Sequence, residues 1–245
     1  LKGDLRLRAL YWDVFAGISG DMALASLIAL GADPVIITEQ LQSLGLKEFS
    51  LEITSTQIQG IQATDVNVIL LNAADKHHRY LNDIEKIINN GEIPEKARTN
   101  SLQVFQTLAE AEAKVHGTTI DKVHFHEVGA VDSIVDIVGT CLALEQLSIA
   151  EIRVSLLPWS RGFVKCAHGI LPVPAPATLE LLPGFEFYES GVTGELITPT
   201  GAALISTLTK QTPFPKMNLL KVGYGAGKHN YGLPNLLRGV LGEVL

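Results

Sequence analysis

The densest run of metal-ligand side chains in the 245-residue chain lies at residues 123–136, where His124, His126 and Glu127 precede Asp132 and Asp136. On a strand, His124 and His126 share one face because side chains alternate with period two. Asp132 and Asp136, four apart, share one face of the following helix. Four ligands then converge across one turn. Neutral imidazole with carboxylate is a borderline donor set that suits Ni2+, Zn2+, Mn2+ or Fe2+, and the residues alone do not order these. The plainer reading makes the histidines ordinary polar residues and Asp132 a helix cap. Asp136 resists it, because a carboxylate inside so apolar a helix needs a cation or a metal as partner.

Three further segments carry chemistry. Residues 13–22 end a strand with Asp13 and turn through Gly17, Ser19 and Gly20 into a helix, whose exposed N–H groups suit an anion such as phosphate. It is no Walker loop, since no Gly-Lys-Ser/Thr appears. Ser19 or Asp21 as a simple cap explains most of it, and leaves over Asp13, a carboxylate at a strand end where α/β proteins place ligands. Residues 161–169 collect Arg161, Lys165, Cys166 and His168. The cations could grip a phosphate, and the thiol and imidazole could relay a soft metal, or Cys166 is a small buried hydrophobe and His168 a turn residue. Residues 195–201 lead into a helix that Thr198 or Thr200 caps, and that N-terminus could also receive an anion. His77 and His78 stand in a polar run that could collect metal or merely be solvated.

The elements that must position these groups alternate without a strict βαβ rhythm. A strand at 7–14 is followed by a helix stopping at Gly31, a second helix from Pro34 to Leu44 capped by Asp33, and a hairpin about Gly60 over 49–71. Helices are expected at 80–89, 94–116 and 130–147, the last buried on most sides, with a short strand at 122–127. Prolines 158, 172, 174, 176 and 183 exclude a long helix after Glu151. A helix at 200–210 and a strand near 236–241 close the chain. The fold class is therefore α/β in the mixed α+β sense, a mixed sheet flanked by helices. One domain spans 1–245, divisible into a more helical stretch over 1–150 and a strand- and loop-rich stretch over 151–245. The end of the chain directly out of a strand suggests a domain cut from something longer.

Composition narrows the function. Hydrophobic residues make up 47% and charged residues 18%, enough to bury a substantial core. A net charge of -7 argues against nucleic acid, which needs a basic face. No signal peptide or membrane span is expected, and two distant cysteines without a CxxC fit a reducing cytoplasm.

Taken in order, YWDVFAGISGDM, VHFHEVGAVDSIVDIVG, GFVKCAHGILPVPAPAT and GELITPTGAALI resemble the LarC family of nickel insertion proteins over nearly the whole chain. The resemblance is to the family's N-terminal domain; the second domain of full-length members is absent. It implies a cytoplasmic chelatase that inserts Ni2+ into a pyridinium bis-thiocarboxylate mononucleotide. The reaction uses CTP with Mg2+ or Mn2+, bound by the second domain, and lactate racemase receives the cofactor. A homo-oligomer is an open expectation. Many members carry a long histidine run where this chain has only His77 and His78, so local nickel storage is not expected. On this reading His124, His126, Asp132 and Asp136 hold nickel and Cys166 and His168 relay it. Glu127 or Asp13 takes the ring proton, while Arg161, Lys165, Ser19, Gly20, Thr198 and Thr200 bind the nucleotide. Two other classes remain: a metal-dependent phosphohydrolase, and a non-catalytic nickel metallochaperone.

Overall fold

The apolar run at the start becomes strand β1 (Leu7–Asp13), in which Ala9 to Trp12 are buried on both faces, as befits a strand covered by other layers. A computed structural model of the chain describes residues 7–46, 49–70, 79–123, 125, 131–166 and 168–244. Helix α1 (Gly20–Leu30) follows and stops at Gly31, whose φ of 114° is open to glycine and closed to most side chains. Helix α2 (Pro34–Gln42) is capped by Asp33, which accepts from the Val35 N–H at 2.9 Å. Strands β2 (Phe49–Ile58) and β3 (Ile61–Leu70) form the expected hairpin, turning at Gln59 and Gly60, both left-handed.

Helices α3 (Leu81–Asn90), α4 (Glu95–His116) and α5 (Val131–Gln146) occupy the expected positions, and α5 is buried along most of its length. The expected strand at 122–127 is not formed as such among the described residues. A 3-10 turn at Ile120–Lys122 comes first, and Phe125 alone makes an antiparallel bridge to Arg79. His124, His126 and Glu127, like His77 and His78, lie outside the described residues. The rest of the chain supplies β4 (Glu151–Val154), β5 (Leu157–Arg161), β6 (Phe163–Cys166), β7 (Gly169–Pro172), the short α6 (Pro176–Leu181) and β8 (Phe187–Thr193). Then come α7 (Pro199–Leu208), β9 (Lys210–Gln211), β10 (Asn218–Ala226) and β11 (Leu236–Val244).

Seven strands join in the order β2-β3-β10-β11-β1-β4-β9, drawn from both sides of residue 150. Pair by pair, β3, β10, β1, β4 and β9 run one way and β2 and β11 the other, so the sheet is mixed. Two ribbons stand apart from it, β5 with β8 and β6 with β7. Helix α1 lies on the sheet against β10, α5 packs on α1, and α4 on α5. The first contact explains two glycines: a Cβ on Gly225 would stand 2.1 Å from the Met22 carbonyl oxygen, and one on Gly223 2.7 Å from that of Ser26. Only a bare backbone lets helix and strand approach so closely. Beneath this contact the buried Trp12 Nε1 donates to Ser26 Oγ at 3.1 Å.

Candidate functional site

Two of the marked segments are joined backbone to backbone. The Ile18 N–H donates to the Leu196 carbonyl at 2.9 Å, and the Thr198 N–H to that of Ile18 at 3.2 Å. A Cβ on Gly17 would lie 1.9 Å from the Leu196 oxygen, and one on Gly201 2.3 Å from the Ile18 oxygen. The glycines are what allow this seam. Thr198 caps α7 through its Oγ1, which accepts from the Gly201 N–H at 3.2 Å. Ser19 occupies the cap position of α1, but its hydroxyl donates to the Asp21 carboxylate rather than capping the backbone. Both helices thus begin beside β1's carboxyl end, the edge at which open α/β sheets place ligands.

Asp136 projects from α5 into this seam. A Cβ on Gly20 would meet Asp136 Cβ and Oδ2 at 2.7 Å and Thr200 Cγ2 at 2.8 Å, so Gly20, Asp136 and Thr200 share one small space. Asp136 keeps some solvent contact as a residue, yet its Oδ1 is sealed and has no hydrogen-bond partner among the described residues. Burial pushes its carboxyl well above the ordinary range. The charges of Asp21 and Asp132 add to the rise, while Lys228 and the backbone N–H of Asp21 oppose it. Lys228 serves several acids at once. It pairs with Asp65, lies 3.8 Å from Asp21 Oδ2 and donates to the Val66 carbonyl at 2.9 Å. Asp21 and Asp65 already share this ammonium, so Asp136, crowded further by the charge of Asp132, has no cation of its own among the described residues, and a divalent cation would offset the crowding. Among the described residues, however, no three His, Cys, Asp or Glu side chains are grouped to hold a metal.

The second concentration of marked residues lines a cavity of about 360 Å3 between α4, α6, α7 and the β6–β7 ribbon. Lys165, Cys166 and His168 reach it, and so does His116, which in the sequence is only the end of a helix. The His116 and His168 rings are 4.7 Å apart at 44°, and His116 Nε2 lies 3.4 Å from Glu112 Oε2. Cys166 is partly accessible. Cys141, by contrast, is sealed in α5, where burial drives its thiol up to about 12 against a small opposing effect of Ser101. Only Cys166 can meet a ligand. Arg161 is engaged elsewhere, in a two-pronged pair with Glu189 at 3.3 and 2.8 Å, and is not among the cavity's lining residues.

Asp13 belongs to a third place, a cleft of about 630 Å3 beyond the ends of β1, β4 and β9. Its Oδ2 is held by Arg238, a residue unmarked in sequence, whose guanidinium also sits 5.6 Å from the centre of the Phe15 ring. Tyr188 donates to the Phe15 carbonyl at 3.1 Å. Burial, then the charge of Asp13, raises the phenols of Tyr11 and Tyr188, so both stay neutral at ordinary pH. The structure thus brings Ser19, Gly20, Thr198, Thr200 and Asp136 together, with Asp132 acting on Asp136 by its charge. It sets Asp13 and Arg161 apart. A signal for Lys228 was present, a lone cation directly after the glycine-rich strand end, but nothing local named the carboxylates it serves.

A family described as "Nickel insertion protein" matches residues 10–244. The chain is 47% identical over 240 residues to the pyridinium-3,5-bisthiocarboxylic acid mononucleotide nickel insertion protein of Desulfitobacterium hafniense, covering 97% of this chain and 59% of the relative. It is 45% identical over 232 residues to the protein of that name from Staphylococcus epidermidis, covering 94% and 58%. The chain spans about three fifths of the length of these curated relatives. No solved structure matches it.

Proposed function

The chain belongs to the nickel insertion protein family, and we propose from this that it carries the metal-handling portion of a nickel chelatase. The reaction inserts Ni2+ into a pyridinium bis-thiocarboxylate mononucleotide and forms a nickel-pincer nucleotide. The observation that carries this reading is Asp136, a carboxylate with a sealed, unpartnered oxygen, placed under the charge of Asp21 and Asp132. A divalent ion is the natural partner for such a group. Nickel, the substrate ion, is held by Asp136 and Asp132 with His124 and His126, a borderline donor set that releases it to sulfur. Cys166 and His168 stand at the neighbouring cavity as its relay.

The ring carbon between the two thiocarboxylates loses a proton, its C–H electron pair becomes the nickel–carbon bond, and a carboxylate receives the proton. Asp13 is tied to Arg238 in another cleft, which favours Glu127 over Asp13 as the base. The starts of α1 and α7, at Ser19, Gly20, Thr198 and Thr200, together with Lys165 and Arg161, hold the phosphate. Arg161 can do so only by leaving Glu189. CTP, with Mg2+ or Mn2+, acts outside these 245 residues, lactate racemase receives the product, and the whole works in the cytoplasm.

Calorimetric titration with Ni2+ tests the metal site. The wild-type chain binds tightly, and the His124→Ala, Asp136→Ala double variant, shown folded by circular dichroism, does not. Equal affinity in both would return these residues to a structural role.

A further inference from the structure

The cavity beside the carboxylate seam has the form of a site for an organic ligand, beyond the relay of an ion by Cys166 and His168. Its volume of about 360 Å3 falls within the range of small-molecule sites, which are mostly apolar with a few converging polar groups. Val115, Phe125, Val164 and Leu171 supply apolar wall. Lys165 stands at it with no carboxylate partner among the described residues, and the paired rings of His116 and His168 add hydrogen-bonding nitrogens. A slot of apolar walls takes a flat ring, and an unpaired ammonium takes an anion attached to it.

We propose that this cavity seats the heteroaromatic ring of a pyridinium mononucleotide, with Lys165 on an anionic group of the nucleotide and His116, together with His168, facing the carboxylates carried by the ring. This rests on the reading of the chain as a nickel chelatase and adds the place of its organic substrate. The cleft at Asp13 is the rival, and charge decides between them. Each space is faced by two acids, Glu112 and Glu195 in the cavity and Asp13 and Glu186 in the cleft, but among the described residues only the cavity's lining includes a cation, Lys165, whereas Arg238 beside the cleft is already committed to Asp13. Nearness to the carboxylate seam points the same way, since Pro199, which lines the cavity, stands between Thr198 and Thr200 in the chain.

The test is calorimetric titration with nicotinate mononucleotide, a pyridinium mononucleotide without sulfur, in the absence of nickel. The wild-type chain binds it, and Lys165→Glu and Ala177→Phe, the second filling the cavity from α6, each weaken binding by about tenfold or more. Tyr188→Ala, in the Asp13 cleft, binds as wild type does. Circular dichroism confirms that each variant is folded, and His116→Ala, a smaller change, replaces Ala177→Phe if that variant does not fold. The proposal is overturned if the folded variants at Lys165 and the cavity wall bind like wild type, if Tyr188→Ala removes binding, or if the wild-type chain does not bind the probe. Because nickel and sulfur are both left out, a failed nickel site leaves this titration unaffected and is detected separately by the Ni2+ titration.

Discussion

The seam around Asp136 and the cavity around Cys166 lie on either side of the start of α7, and they are built on opposite principles. The seam is charge crowded into closely packed backbone: Asp21, Asp65 and Asp136 share Lys228, Asp132 adds its charge to Asp136, and glycines allow main chains to touch. The cavity is largely apolar, with soft donors and a cation on a two-stranded ribbon. One region is suited to an ion and disfavours its own empty state; the other is suited to a molecule and tolerates being empty. A reaction that joins a metal to an aromatic nucleotide needs both kinds of surface near one another.

The comparison can be broken most forcefully at the seam's backbone. Gly17→Ala puts a methyl into the Leu196 carbonyl at a φ of 95°, and should cost roughly 3 kcal/mol or more in urea denaturation. Gly169→Ala, at the ribbon's tip with a φ of 101° but open space around it, should cost only about 1 kcal/mol. Equal losses would mean that the seam is no tighter than the ribbon.

Asp136→Asn sharpens the electrostatic half. Nickel affinity should fall at least about tenfold, while the metal-free protein changes in a defined sense with pH. The native carboxyl binds its proton more tightly than the unfolded one, so wild-type stability is greatest below the ordinary carboxylate range and falls as pH rises through the raised native value. The Asn variant should lose that decline, and bound Ni2+ should reduce it in the wild type because metal replaces the proton. A wild-type denaturation series that is flat across this window would remove the frustrated carboxylate from the account.

Lys228→Met is expected to have a smaller effect, about 1 kcal/mol of lost stability, because the ammonium is partly solvated. The pH window for Asp136 should move upward with it, since Lys228 is the charge that opposes the rise. Smallest of all, Arg161→Ala should leave stability in urea denaturation essentially unchanged, its pair with Glu189 being exposed. Any loss of nucleotide binding in that variant would then report a direct role rather than damage to the fold.

Much of the scaffold is legible in residue order alone. The strand, glycine loop and helix at 7–30, the cap at Asp33, the left-handed turn at Gly60 and the cap at Thr198 follow from short-range chemistry, in which each residue type constrains neighbours within about one turn. Asp136 is legible too, because an acid inside an apolar helix is conspicuous without knowledge of its surroundings. The order of the seven strands is not, since backbone pairing carries no sequence-specific mark.

Nor is the assignment of partners. Asp13 stands in the sequence as a free acid at a strand end, and the tertiary structure gives it Arg238, 225 positions away. Lys228 reaches Asp65 across 163 positions, and His116 meets His168 only because α4 ends where the β6–β7 ribbon turns. The sequence by itself determined which groups could ionise, ligate or cap, because those are properties of single side chains and their near neighbours. Which groups face one another, and hence which charges are satisfied and which are left for a ligand, was decided by the tertiary structure alone, because electrostatic and packing energies depend on distances in space that chain separation does not encode.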